Sequence, residues 1–160
     1  HPLPTWGLIS SLTARAFTTV DAFVDTNVLL YAASGALRYP AKHKRAWDIM
    51  NDADIALSGQ VLAEFYVNAM KSGDGQTPLT QQEAANWIDA LSLLPVVPID
   101  HLIVQQAISH SKRYQISYWD AALVAAAEVV EARILYTEDL NHGQKYGSAT
   151  VINPFKEPAL

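Results

Sequence analysis

The chain contains no cysteine, and that absence removes disulfides, zinc–thiolate centres and thiol nucleophiles together. No apolar run approaches the roughly 18 to 20 residues needed to span a bilayer, so no membrane partner is expected. Charge is sparse, at 17% of residues, and basic groups are the scarcer kind: 11 Lys and Arg against 16 Asp and Glu give a net charge of −5. A protein of that charge does not coat nucleic acid through a general positive field, although a local basic patch stays open to it. A glycine-rich phosphate loop, a Ser-His-Asp order and a nucleophile elbow are all missing. None of the histidines shows metal-ligand spacing; His43, His101, His110 and His142 are expected at the surface or in caps.

What remains is a chain of 160 residues, half of them hydrophobic, which is long enough for one domain with a substantial core. The lack of cysteine and of a secretory leader fits a cytoplasmic location. Residues 1–19, HPLPTWGLISSLTARAFTT, contain no acid and no clear periodicity. They read as an upstream extension or cloning remnant, with Val20 the candidate native start and a single domain over residues 20–160.

Short strand signals alternate with longer helical ones. Val20–Asp25 reads as a buried strand, with Asn27 able to cap the helix that follows. A helix from Pro40 to Met50 precedes a brief strand at Ile55–Leu57, and Ser58 can cap a helix from Gln60 to about Lys71. Thr80-x-x-Glu83 is a capping box opening the helix to Leu93. Pro95–Ile99 is a strand, Asp100 caps a helix from His101 to Tyr114, and Ser117-x-x-Asp120 opens a helix apolar on nearly all sides. Ile134–Thr137 and Thr150–Asn153 complete the strands. Strands separated by helices of this length imply βαβ units, hence an α/β fold: a three-layer α/β/α sandwich around a parallel central sheet.

Four carboxylates interrupt otherwise apolar stretches: Asp25, Glu64, Asp120 and Asp139, none with a Lys or Arg within three residues. Carboxylates are rarely buried without a partner, and several converging at one point are most simply satisfied by a divalent cation. Asp25 and Asp139 follow strands, and open parallel sheets bind ligands at that edge. The two can share a site if their strands are neighbours, and Thr137 lies on the same face as Asp139. Glu64 belongs to a polar stripe with Gln60 and Asn68 at intervals of four residues. Each acid also has a plainer use: helix cap for Asp25 and Asp120, solvated helix face for Glu64, turn former for Asp139. Glu83 and Asp100 read as caps, Glu128 and Glu131 as part of a helix end, and Glu138 should point away from Asp139.

In order and spacing, the segments FVDTNVLLYA, QVLAEFYVNAM, YWDAALVAAA and ILYTEDLNHGQKYGSATVINPF resemble the PIN-domain ribonucleases, most closely the VapC toxins of bacterial toxin–antitoxin pairs. The resemblance runs from about Ala22 to Phe155, and the extension before Val20 departs from it. It implies Asp25, Glu64, Asp120 and Asp139 as the catalytic and metal-ligating acids, supported by Asn27 and Thr137. It also implies cleavage of structured RNA such as tRNA, a homodimer, and a cognate antitoxin protein over the active-site groove. All-oxygen ligands select Mg²⁺ or Mn²⁺ over Zn²⁺. Lys42, Lys44, Arg45 and Lys71 are the candidates for gathering RNA. Acids brought together repel, so some pKa values should be raised, Mg²⁺ should stabilise the fold, and Asp120→Asn should stabilise the metal-free protein. Two rivals stand beside this: a non-catalytic metal- or RNA-binding module, and a phosphohydrolase of the haloacid dehalogenase type. The second wants another Asp where Asn27 stands.

Overall fold

The computed structural model describes residues 19–73 and 77–157. Residues 1–18, nearly all of the expected extension, lie outside the described residues. Thr19 already donates its hydroxyl to Glu131, 2.9 Å away, and Val20 is buried.

The first strand, β1 (Ala22–Val24), is apolar on both faces and wholly buried, which suits the centre of a parallel sheet. Helix α1 (Thr26–Ser34) follows at once, then α2 (Pro40–Asp52), which starts on a proline whose missing N–H costs nothing there. Strand β2 (Ile55–Ser58) leads through the Ser58 cap into α3 (Gly59–Ala69), and α4 (Gln81–Leu91) opens on the expected Thr80–Glu83 capping box. Strand β3 (Val96–Val97) precedes α5 (His101–Tyr114), capped by Asp100, and α6 (Tyr118–Val129), capped by Ser117. Strands β4 (Ile134–Tyr136), β5 (Lys145–Tyr146) and β6 (Ala149–Ile152) close the chain.

The sheet order is β3-β2-β1-β4-β6-β5, parallel except for β5 against β6. The chain steps outward from β1 to β2 and β3, then crosses back so that β4 pairs with β1 on its other side, Val24 opposite Tyr136. Right-handed crossovers taken in opposite directions place their helices on opposite faces. Accordingly α1 packs on α2 and α3, α3 on α4, while α5 and α6 pack on each other and α6 on β2 and β6. The result is the expected α/β/α sandwich. Its core includes Phe23, Leu57, Phe65, Leu135 and Val151, and on α6 the whole run Ala121–Ala127. Val28 and Leu29 are fully buried and belong to this core.

Three details differ from the expectations. Asp25, not Asn27, caps α1: it is extended (φ −84°, ψ 163°) and its carboxylate accepts from the N–H of Thr26, so Asn27 falls inside the helix. His110 is buried rather than a surface or cap residue, with Nε2 2.8 Å from the Glu128 carboxylate. Strand β5 was not expected; only two residues long, it turns back through Gly147, whose φ of +57° suits glycine. Among the described residues no helix is long and apolar enough to cross a membrane.

Candidate active site

The order of the sheet reverses between β1 and β4, and a parallel sheet opens a crevice beyond its carboxyl edge at such a point. Asp25 ends β1 there, and Thr137 follows β4 directly. Because the strands are neighbours, the N–H of Asp25 reaches the carbonyl of Tyr136 at 3.0 Å. The Thr137 side chain, fully buried, donates to Asp25 Oδ2 at 2.7 Å and accepts from the N–H of Asp139 at 3.1 Å. One hydroxyl thereby ties together the two acids that were expected to meet.

Asn27, in the first turn of α1, spans the same pair: its Nδ2 lies 3.2 Å from Asp25 Oδ2 and 3.3 Å from Asp139 Oδ2. Thr26 extends the network to α3. Its N–H donates to Asp25 Oδ1 at 2.6 Å, and its hydroxyl to Glu64 Oε2 at 3.0 Å. Gln60, on the polar stripe of α3, donates to Glu64 Oε1 at 3.1 Å, and Asn68 donates to the Glu64 carbonyl at 2.8 Å. Asp25, Glu64 and Asp139 thus belong to one continuous set of hydrogen bonds. Asp120 stands in the first turn of α6, its N–H given to the Ser117 hydroxyl, and its charge acts on Asp139.

Burial pushes the Asp25 carboxyl from 3.8 up to about 6; the Thr137 and Thr26 hydrogen bonds oppose that, while the charges of Asp139 and Glu64 add to it. The Asp139 carboxyl is also raised, first by burial and then by Asp120 and Glu138, with the Asn27 amide opposing. Desolvation outweighs mutual repulsion at both groups. Coulombic coupling nevertheless joins all four acids: Asp25 to Asp139 and Glu64, and Asp139 to Asp120.

The residues match a hard divalent cation in chemistry, being carboxylates with amide and hydroxyl support. Asp25 offers about four lone-pair positions in all, and its three donors leave room for a further ligand. Among the described residues, however, no three His, Asp or Glu side chains stand close enough to hold one ion. The amide of Asn27, a donor, occupies the span between two of them.

Of the basic candidates, Lys42 is engaged elsewhere. Its ammonium contacts the Tyr31 hydroxyl at 2.9 Å and Glu138 at 3.4 Å and lies 4.6 Å from the Tyr31 ring centroid. Glu138 is thereby engaged by Tyr31 and Lys42, while its charge still acts on Asp139. Lys44 pairs with Asp48 at 3.0 Å but stays largely exposed, Arg45 is exposed on the same helix, and Lys71 contacts Asn68 at 3.0 Å beside the α3 stripe. Residues that the sequence pattern did not single out as functional are Thr26, Gln60 and Trp119. The spacing of Gln60 from Glu64 was its only signal. Trp119 is 63% exposed next to Asp120 and lines an open groove with Gln60 and Glu64.

The PIN domain family model matches residues 22–147. No curated protein matches the chain. Among solved structures, a toxin–antitoxin complex from Klebsiella pneumoniae is similar at a TM-score of 0.61 and 19% identity, over 86% of this chain and 100% of that one. VapC20 of Mycobacterium tuberculosis, a sarcin–ricin loop cleaving toxin, aligns at a TM-score of 0.58 and 19% identity, over 74% and 90%. FitAcB from Neisseria gonorrhoeae aligns at 0.54 and 20%, over 84% and 98%. These identities show a shared fold. With the family model spanning most of its length and the topology agreeing, the chain belongs to the PIN-domain family.

Proposed function

We propose that the protein is a metal-dependent endoribonuclease, the toxin of a toxin–antitoxin pair, with its site at Asp25, Glu64, Asp120 and Asp139. What supports this reading most is the hydrogen-bonded set at the β1–β4 switch point that links Asp25, Glu64 and Asp139, with the charge of Asp120 acting on Asp139. Support also comes from the family and from the toxin–antitoxin proteins among the structural neighbours.

Asp25, Asp120 and Asp139 would hold Mg²⁺ or Mn²⁺, with Glu64 placed for a second ion or an attacking water. A cation there supplies neutralisation of the phosphate charge and a lowered pKa for the water. The protein residues do the positioning. Thr26 and Thr137 fix both oxygens of Asp25, and Thr26 with Gln60 fixes both oxygens of Glu64. Asn27 orients Asp139 against Asp25. RNA would approach across the exposed Lys44, Arg45 and Lys71, with Trp119 offering a face on which a base can stack. Lys42, held by Tyr31 and Glu138, drops to a minor role in this reading.

An antitoxin partner would lie over the active-site groove, which Gln60, Ala63, Glu64, Ile99 and Trp119 line. The site of action would be the cytoplasm, and the active form a homodimer.

The test is cleavage of total tRNA and rRNA by the purified protein with Mg²⁺ or Mn²⁺, beside EDTA and Asp25→Asn controls. Discrete metal-dependent products missing from both controls are expected. A folded, antitoxin-free protein that binds cation or RNA but cuts nothing would instead be the binding module.

A further inference from the structure

Two acids stand side by side on the turn after β4. Asp139 bonds to Asn27 inside the site, whereas Glu138 has partners of its own. Residues 138–140 form bends beyond the last ladder bond, which runs from the N–H of Thr137 to Ile152. Strand alternation, which would assign each side chain to a face, has ended there. What decides which of the two carboxylates meets the site must therefore come from outside the turn.

Both oxygens of Glu138 are held. Tyr31, on α1, donates its hydroxyl to Oε1 at 3.0 Å, and Lys42, on α2, reaches Oε2 at 3.4 Å. The same ammonium donates to the Tyr31 hydroxyl at 2.9 Å, so the three groups close a ring of polar contacts. Around it stand Tyr31, Tyr39 and Phe155, their ring centroids 4.6, 5.5 and 5.6 Å from the ammonium. The negative faces of aromatic rings attract a cation and help to keep it in place. Phe155 arrives from the tail. Asn153 Oδ1 accepts its N–H at 3.0 Å, which turns the Asn-Pro-Phe segment so that the ring meets Tyr31 edge-on at 4.7 Å. The closing motif of the sequence thus completes a box around Lys42.

We propose that Lys42 and Tyr31 are positioning residues that hold Glu138 out of the cation site, so that Asp139 alone of the two adjacent acids enters it. This rests on the ribonuclease reading above and adds to it a control on which carboxylates take part. The charge of Glu138 acts on Asp139 even from where it is held. Released from the box, the longer glutamate side chain would compete for the same ion. A surplus carboxylate binds a hard cation more tightly and cancels more of its charge, which leaves less to neutralise a phosphate. Lys42 was a candidate for gathering RNA; in this account its charge serves Glu138 instead.

The experiment uses the full chain with Lys42→Met, Tyr31→Phe, Glu138→Gln and the double variant Lys42→Met/Glu138→Gln, each checked for wild-type circular dichroism. Mn²⁺ binding is followed by the EPR signal of the free ion, and RNA cleavage by steady-state kinetics. Lys42→Met should bind Mn²⁺ several-fold more tightly yet cut with kcat about tenfold lower, KM staying within about twofold. Tyr31→Phe, which removes one of the two bonds to Glu138, should move both quantities the same way by less. In the Glu138→Gln background, Lys42→Met should have no further effect on either, because no charged competitor remains. Simple loosening of the site would instead weaken Mn²⁺ binding and lower kcat together, and a phosphate contact by Lys42 would raise KM alone. Either pattern, an unchanged Lys42→Met, or an effect that persists in the Glu138→Gln background overturns the clamp and leaves the nuclease standing. A wild type that binds no Mn²⁺ and cuts no RNA overturns the ribonuclease reading, and this proposal falls with it.

Discussion

Burying the Asp25 carboxylate to 4% exposure raises its pKa to about 6 because the end of β1 and the start of α1 strip away its water. Between its unfolded value near 3.8 and about 6, the folded chain keeps this proton and the unfolded chain has lost it. Stability from this group is therefore greatest below the unfolded value, falls as pH rises, and bottoms out above about 6. The whole penalty is about 3 kcal/mol. Metal-free wild type should melt lower at pH 7.5 than at pH 5, and Asp25→Asn should flatten that dependence. At pH 7.5 the variant should be the more stable by about 2 kcal/mol, while losing all cleavage, as read by calorimetry and the RNA assay. The raised proton affinities at Asp25 and Asp139 add Asp25 to Asp120, whose charge acts on Asp139, as a position where Asn should stabilise the metal-free protein. That some of these acids would be raised was expected from their mutual repulsion, and Asp25 and Asp139 are raised. That burial would outweigh repulsion was not, because it depends on how deeply each strand end sits.

At the scale of elements, caps were the most readable feature. Ser58, Thr80, Asp100 and Ser117 all accept from an N–H three residues on, a spacing visible in the letters alone. Removing the Thr80 hydroxyl with Thr80→Ala should cost about 1 kcal/mol and leave RNA cleavage unchanged, since α4 carries no site residue. The start of α1 was misread because Asp25 and Asn27 are equally good caps and only the third dimension chooses. The choice matters: with Asp25 as cap, Thr26 becomes the first helical residue and its hydroxyl reaches Glu64. Thr26→Val keeps the shape and removes that bond. It should lower kcat/KM about tenfold with the melting temperature nearly unchanged, measured by steady-state cleavage beside thermal unfolding. Tertiary contacts such as these, and the burial of His110 against Glu128, join residues distant in the chain and leave no local pattern to read.

For the molecule as a whole, a net charge of −5 means that the proposed RNA binding would rest on a few exposed cations. Replacing Lys44 and Arg45 together by Ala should weaken binding of single-stranded RNA uniformly across sequences. The slope of log K against log salt should fall by about 0.7 for each phosphate that is no longer neutralised. Removal of divalent metal should lower the melting temperature, and restoring Mg²⁺ to a hundredfold excess over Kd should return about 2.7 kcal/mol. The α/β class and the layering of helices on a parallel sheet followed from alternation of element types, whereas the pairing of β1 with β4, which brings Asp25 to Asp139, came only from the crossover. The most direct test of the four acids as one cation site is anomalous diffraction from crystals soaked in Mn²⁺. The expected result is a peak contacted by Asp25, Asp120 and Asp139, with Asp139 released from the Asn27 amide. A map with no Mn²⁺ peak among these carboxylates, from crystals of a folded protein at saturating metal, would contradict it.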